Sequence, residues 1–200
     1  MDNMNFKIFD RYDISDIRVK DEGLQEVINL ESKLILKSQG RHTEKYGKIK
    51  VNIIERLINR VATAGHRGKK HKVILGHTTG KFSKNTKIVL DAFEIIAKKT
   101  GKNPVEVFVK AIENSAPMDE TTTIEYGGAR YPQAVDVSPL RRINLALKNI
   151  VHGASDKAFG KKKTIVQSLA EEIMLAADNN GESNAVRRRN EAEKQADAAR

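Results

Sequence analysis

Apolar side chains recur along this chain mostly with a helical period. Ile53, Ile54, Leu57, Ile58 and Val61 form one stripe, which predicts a helix from about Val51 that stops near Ala64-Gly65. Leu24, Val27, Ile28, Leu34 and Ile35, with Glu31 among them, predict an earlier helix after the Gly23 break. Ile88, Val89, Ala92, Phe93, Ile95 and Ile96 predict another, closed by Thr100-Gly101. Asn103-Pro104-Val105-Glu106 then opens a helix: Asn at the cap, Pro at the first helical position, and Glu placed to reach back to the cap amide. Its apolar face is Val105, Phe108, Val109 and Ile112. Ser138-Pro139 opens the next, through Leu140, Ile143, Leu147, Ile150 and Val151, and Ile165, Val166, Leu169, Ile173 and Ala176 mark one more. From Asn184 to Arg200 the chain is rich in Ala, Glu, Arg and Lys, a composition that can be helical but offers little to bury.

One segment breaks the period. Thr121 to Tyr126, then Gly127-Gly128, then Ala129 to Val137 is rich in Thr, Val, Ile and Tyr around a double Gly, the pattern of a β-hairpin. An isolated hairpin does not fold alone, so it should protrude as an arm from the helices. The expected fold is therefore mainly α, a bundle of about six helices with one protruding β-hairpin, Thr121 to Val137. Residues 1–46 read as an N-terminal extension with one helix, and 47–200 as the helical domain.

Charge changes the picture by where it sits. The 200 residues carry 36 Lys and Arg against 26 Asp and Glu, a net +10. Residues 37–72 alone hold eleven basic and two acidic side chains, whereas 1–36 hold five and eight. The dense runs are Arg41 to Lys50 and Gly65 to Lys72, either side of the predicted helix. Like charges packed this closely repel unless a polyanion neutralises them. The expected phosphate contacts are Arg41, Lys45, Lys48, Lys50, Arg67, Lys69, Lys70 and Lys72, with Lys161, Lys162 and Lys163 as a second patch. Binding of this kind reads shape and charge and weakens with salt.

Catalytic chemistry finds little support. There is no Cys, which excludes disulfides, thiolate metal sites and a cysteine nucleophile. His66, His71 and His77 lack metal-ligand spacing and a carboxylate partner, so neither a metal nor a cofactor is expected. Gly76-His77-Thr78-Thr79-Gly80-Lys81-Phe82-Ser83 looks like a phosphate loop, but it is one residue short between the glycines and Phe82 stands where a hydroxyl is needed. Glu171-Glu172 reads as a solvated helix face. No catalytic residue is assigned, and the chain is expected not to be an enzyme. With no long apolar run and no basic-then-apolar start, the expected location is the cytoplasm, away from membranes.

Gly127-Gly128-Ala129-Arg130-Tyr131, then Val135-Asp136-Val137-Ser138-Pro139-Leu140-Arg141-Arg142 and Leu145-Ala146-Leu147, resembles the universal small-subunit ribosomal protein S-seven family. Ala92 to Ile96 with Lys99-Thr100-Gly101, the stretch Pro104 to Pro117, and Ala185-Val186-Arg187-Arg188-Arg189 extend the resemblance over roughly 47–200. The chain differs from the short bacterial form at Pro132-Gln133-Ala134, by the insert from His66 to Ser83 and by its long N-terminal extension, and so looks archaeal in type. The resemblance implies a helical domain with a hairpin, bound to the 3′ major domain of small-subunit rRNA, that nucleates head assembly. Gly127, Gly128, Ala129 and Arg130 would then form a hairpin tip near exit-site tRNA and mRNA, with Arg187, Arg188 and Arg189 beside the same tRNA. Arg141 and Arg142 would contact rRNA. Other partners implied are neighbouring small-subunit ribosomal proteins, with no homo-oligomer. Tyr126 and Tyr131 are placed either to stack on a base or to pack across the hairpin. The rival reading is a DNA-binding helix-turn-helix formed across Gly101-Lys102-Asn103, although its second helix offers few donors beyond Lys110 and Asn114.

Overall fold

The computed structural model describes residues 7–67, 72–73 and 80–200, with backbone alone at 66–67 and 72–73. Among these residues there are seven α-helices: α1 (Glu22–Gln25), α2 (Ile53–Val61), α3 (Phe82–Thr100), α4 (Pro104–Ser115), α5 (Pro139–Ala158), α6 (Ile165–Ala177) and α7 (Asn184–Asp197). A 3-10 turn, Gly47–Lys50, precedes α2. The short strands β1 (His66–Arg67) and β2 (Lys72–Val73) pair with each other, and the long strands β3 (Asp119–Tyr126) and β4 (Ala129–Asp136) form the hairpin.

The core forms where the apolar stripes meet. Helix α6 packs against α3, α4, α5 and α7, and α5 also meets α2. Phe93 of α3 and Phe108 of α4 meet at a tilt with 5.8 Å between ring centroids, and Tyr12 of the N-terminal segment meets Phe93 edge-on at 5.9 Å. Ile8, Leu24, Val27 and Leu36 join the same buried cluster, so the described part of the N-terminal segment is a strap across the helices. Its polar contacts fasten it: Arg11 pairs with Glu94 at 2.7 Å, and the backbone amide of Lys20 donates to Glu113.

Local signals account for several boundaries. Asn103 caps α4 by accepting from the Val105 amide, but the reciprocal two-way capping box stands at α6 instead, between Thr164 and Gln167. Gly101 ends α3 in the left-handed conformation, φ 66°. Gly127 and Gly128 turn the hairpin with φ of 59° and 80°, which a side chain at either position would resist.

Three expectations are corrected. The helix expected from Leu24 to Ile35 shrinks to the four residues of α1. Asn29 diverts the chain: its side-chain oxygen accepts from the Glu31 amide, its side-chain nitrogen donates to Lys50 O, and its carbonyl accepts from the Ile53 amide at 2.9 Å. Leu34 and Ile35 are consequently exposed while Leu36 is buried. Helix α3 begins at Phe82 rather than near Ile88, because buried Asn85 occupies the core stripe one turn before Val89 and hides the period.

The third correction is Glu172, which is fully buried rather than solvated. Its Oε1 accepts from Ser183 Oγ at 2.8 Å and from the Ala185 amide at 3.2 Å, and Oε2 lies 2.7 Å from Lys157 Nζ. A helix N-terminus exposes unpaired amides and a positive dipole end, so a carboxylate belongs there. Through this contact α7 docks with Ala185, Val186 and Ala196 buried, more than its composition promised.

Candidate nucleic-acid interface

Helix α2 turns Ile53, Ile54, Leu57, Ile58 and Val61 inward and draws Glu55 and Arg56 into burial as well. Glu55 is consumed internally, accepting from the Ser38 amide and hydroxyl at 2.8 and 2.6 Å. Arg56 donates to Asn144 Oδ1 at 3.2 Å and to Val27 O at 3.4 Å, and burial lowers its guanidinium to about 10. One turn on, burial also lowers Arg60, which faces His152 Nε2 at 3.4 Å. Lys48, Lys37, His42, Arg56 and Arg60 all line a cavity of about 590 Å³ beside α2.

Of the residues expected to contact phosphate, Arg41, Lys45, Lys48 and Lys50 are exposed around the 3-10 turn next to this cavity. Lys45 Nζ lies over the Tyr46 ring, 5.3 Å from its centroid, and Lys50 meets Glu44 at 3.3 Å, an exposed pair that salt screens. Lys69 and Lys70 lie outside the described residues. Arg67 and Lys72 are described only as backbone partners across β1 and β2.

Helix α5 adds cations that the charge windows concealed. Lys148 is lowered by burial and then by the fields of Arg60, Arg141 and Arg188, so cations of α2, α5 and α7 gather in one electrostatic neighbourhood. Arg141, Asn144 and Lys148 stand at i, i+3 and i+7 on α5, a polar stripe whose spacing is visible in the sequence. Its convergence with Arg60 and Arg188 requires the fold.

Arg142 leaves this face. It is buried, pairing with Asp21 at 2.6 Å while its Nε donates to Pro117 O at 3.2 Å, so the rRNA contact expected of it gives way to an internal one. Its neighbour Arg141 is exposed and pairs with Glu120 at 2.6 Å, at the root of the hairpin. The same root is held by Arg200 on Asp119 at 2.6 Å and by the Met118 amide on Glu193 at 3.1 Å.

Beyond its root the hairpin is exposed. Glu125 and Arg130 are cross-strand partners, 3.5 Å apart. Ile124, Tyr126 and Tyr131 share the opposite face with exposures of 46, 82 and 58%. On α7, Arg187 and Arg188 point outward near Glu191, whereas Arg189 donates to Asn114 O at 2.6 Å and is largely enclosed. Lys161 and Lys162 are exposed after α5, and Lys163 bonds Glu171, lowering that carboxyl. These lysines follow the C-terminal end of α5, whereas the hairpin joins its N-terminal end, so the fold does not bring the two together.

The rival helix-turn-helix reading loses its recognition helix. Val105, Phe108, Val109 and Ile112 of α4 are buried against the bundle. Among the described residues no group of three or more His, Cys, Asp or Glu is placed to hold a metal, and no helix is long and apolar enough to cross a membrane.

A helical bundle that carries a Gly-Gly hairpin and a basic face suits a protein that binds a polyanion. A family model described as ribosomal protein S7p/S5e matches residues 28–200, and the chain belongs to that family. It is 52% identical over 198 residues to small ribosomal subunit protein uS7 of Nanoarchaeum equitans, covering 98% of this chain and all of the relative. The proteins of the same name from Thermoplasma volcanium and Cenarchaeum symbiosum are each 44% identical, covering 96 and 100% of this chain and 100 and 99% of theirs. The archaeal likeness extends across the N-terminal strap, ahead of the part matched by the family model.

Proposed function

We propose that this chain is a structural, non-enzymatic component of the small ribosomal subunit, working in the cytoplasm. It binds the 3′ major domain of the rRNA and nucleates assembly of the head. The observation that carries this reading is the cavity that Arg60, Arg141 and Lys148 line together, next to the exposed Arg41, Lys45, Lys48 and Lys50. Lys and Arg so arranged neutralise phosphates and release counterions, and A-form RNA offers shape and backbone rather than base edges. Arg67, Lys69, Lys70 and Lys72 are further phosphate contacts, and Lys161, Lys162 and Lys163 make a second contact at the far end of α5. The hairpin tip, Gly127 to Arg130, lies with Arg187 and Arg188 beside exit-site tRNA and mRNA. Neighbouring ribosomal proteins complete the set of partners.

The test is equilibrium binding to an rRNA 3′ major-domain fragment, an unrelated RNA and duplex DNA across a salt series. The fragment should bind tightest, with an affinity that falls steeply with salt. Equal affinity for all three would sink the reading. Replacing Lys69, Lys70 and Lys72 by Ala should lower the salt slope by up to ~2 to 3.

A further inference from the structure

A second cavity, of about 650 Å³, opens where the 3-10 turn, α2 and the first half of α5 meet. That lies within the roughly 300 to 1,000 Å³ typical of small-ligand sites. Val27, Ile49 and Leu145 give it an apolar lining, and Tyr46 stands beside them with 61% of its surface exposed. Lys45 covers one face of the Tyr46 ring, which leaves the other for a second partner. Arg60, Arg141 and Lys148 supply the charge. Arg141 is paired with Glu120, but no carboxylate among the described residues forms an ion pair with Arg60 or Lys148.

Each simple occupant leaves part of this site unused. An apolar side chain would fill the lining and leave the cations unpaired; a lone phosphate would satisfy the cations and leave the lining and the ring bare. A nucleotide uses all three, because it joins a flat aromatic base to an anion. We infer that the cavity receives one unpaired nucleotide extruded from an RNA helix, its base against Tyr46 and the apolar lining, its phosphate at Arg60 and Lys148. This rests on the RNA-binding reading above and adds to it a preference for an unpaired base.

The experiment uses the full chain and two RNA hairpins with the same stem, one fully paired and one carrying a single bulged 2-aminopurine. The bulged hairpin should bind about tenfold tighter, in line with the stacking of one base, and the 2-aminopurine fluorescence should change on binding. Tyr46→Ala should abolish that preference and Tyr46→Phe should keep it, both binding the paired hairpin as the parent does. Equal binding of the two hairpins by the parent, or a preference that survives Tyr46→Ala, overturns the nucleotide site while RNA binding stands. Binding of neither hairpin in a salt-dependent way overturns the RNA reading itself.

Discussion

Gly153 and Glu172 show how much one position can decide. A Cβ built on Gly153 would come within 2.7 Å of Asn184 Cβ and 2.9 Å of Glu172 Cδ, so α5 lies against both only because the side chain is absent. Gly153→Ala should therefore displace the Glu172 carboxylate and loosen α7, costing about 1 to 3 kcal/mol, measured by thermal unfolding. An unchanged melting temperature would mean that α7 docks without this contact. Neither residue advertises its role in the sequence. Glu172 follows another Glu on a helix and looks solvated, and its burial depends on which helices surround α6. Arg142 is similarly opaque: it adjoins Arg141 in one basic pair, yet Arg141 is exposed and Arg142 is buried.

At the scale of elements, legibility follows how local the cause is. Helices α4 and α5 have their opening Pro in the sequence, and α4 its capping Asn103 as well, while the Gly-Gly turn needs no tertiary help. The N-terminal strap departs from its helical period because Asn29 bonds to the chain around Asn52, a choice that periodicity cannot register. The hairpin also makes a separable prediction. Replacing Gly127 and Gly128 by Ala should strain the turn by about 1 to 2 kcal/mol for each left-handed residue. Because the arm is exposed beyond its root, the helical core should melt at the same temperature while backbone NMR signals of Tyr126 to Ala129 shift. A lower core melting temperature would show that the tip supports the bundle.

Across the whole molecule, Arg142 ties regions far apart in sequence: Asp21 of the strap, Pro117 before the hairpin, and α5 itself. Breaking a buried ion pair leaves a charge without a partner, typically at about 3 to 5 kcal/mol. Arg142→Ala should therefore destabilise the protein by roughly the lower of these values, since Asp21 is partly exposed. Hydrogen exchange should quicken at both the strap and the hairpin root. Faster exchange at one alone would mean that the two are held independently. The basic face belongs to this scale as well. The window 37–72 flagged its N-terminal half, but Lys148, Arg141 and Arg188 sit in stretches near neutrality and join it through packing.

Helix α5 runs 20 residues from the hairpin root to the segment that carries Lys161 and Lys162. At 1.5 Å per residue that is a rod of about 30 Å, with exposed cations at each end, Arg141 and Lys161 with Lys162, and Lys148 between. A short oligonucleotide can engage one end or the other. On the proposed RNA-binding reading, a strand that contacts both ends must be long enough to span the rod, so the length of α5 would sort partners by reach as well as by charge.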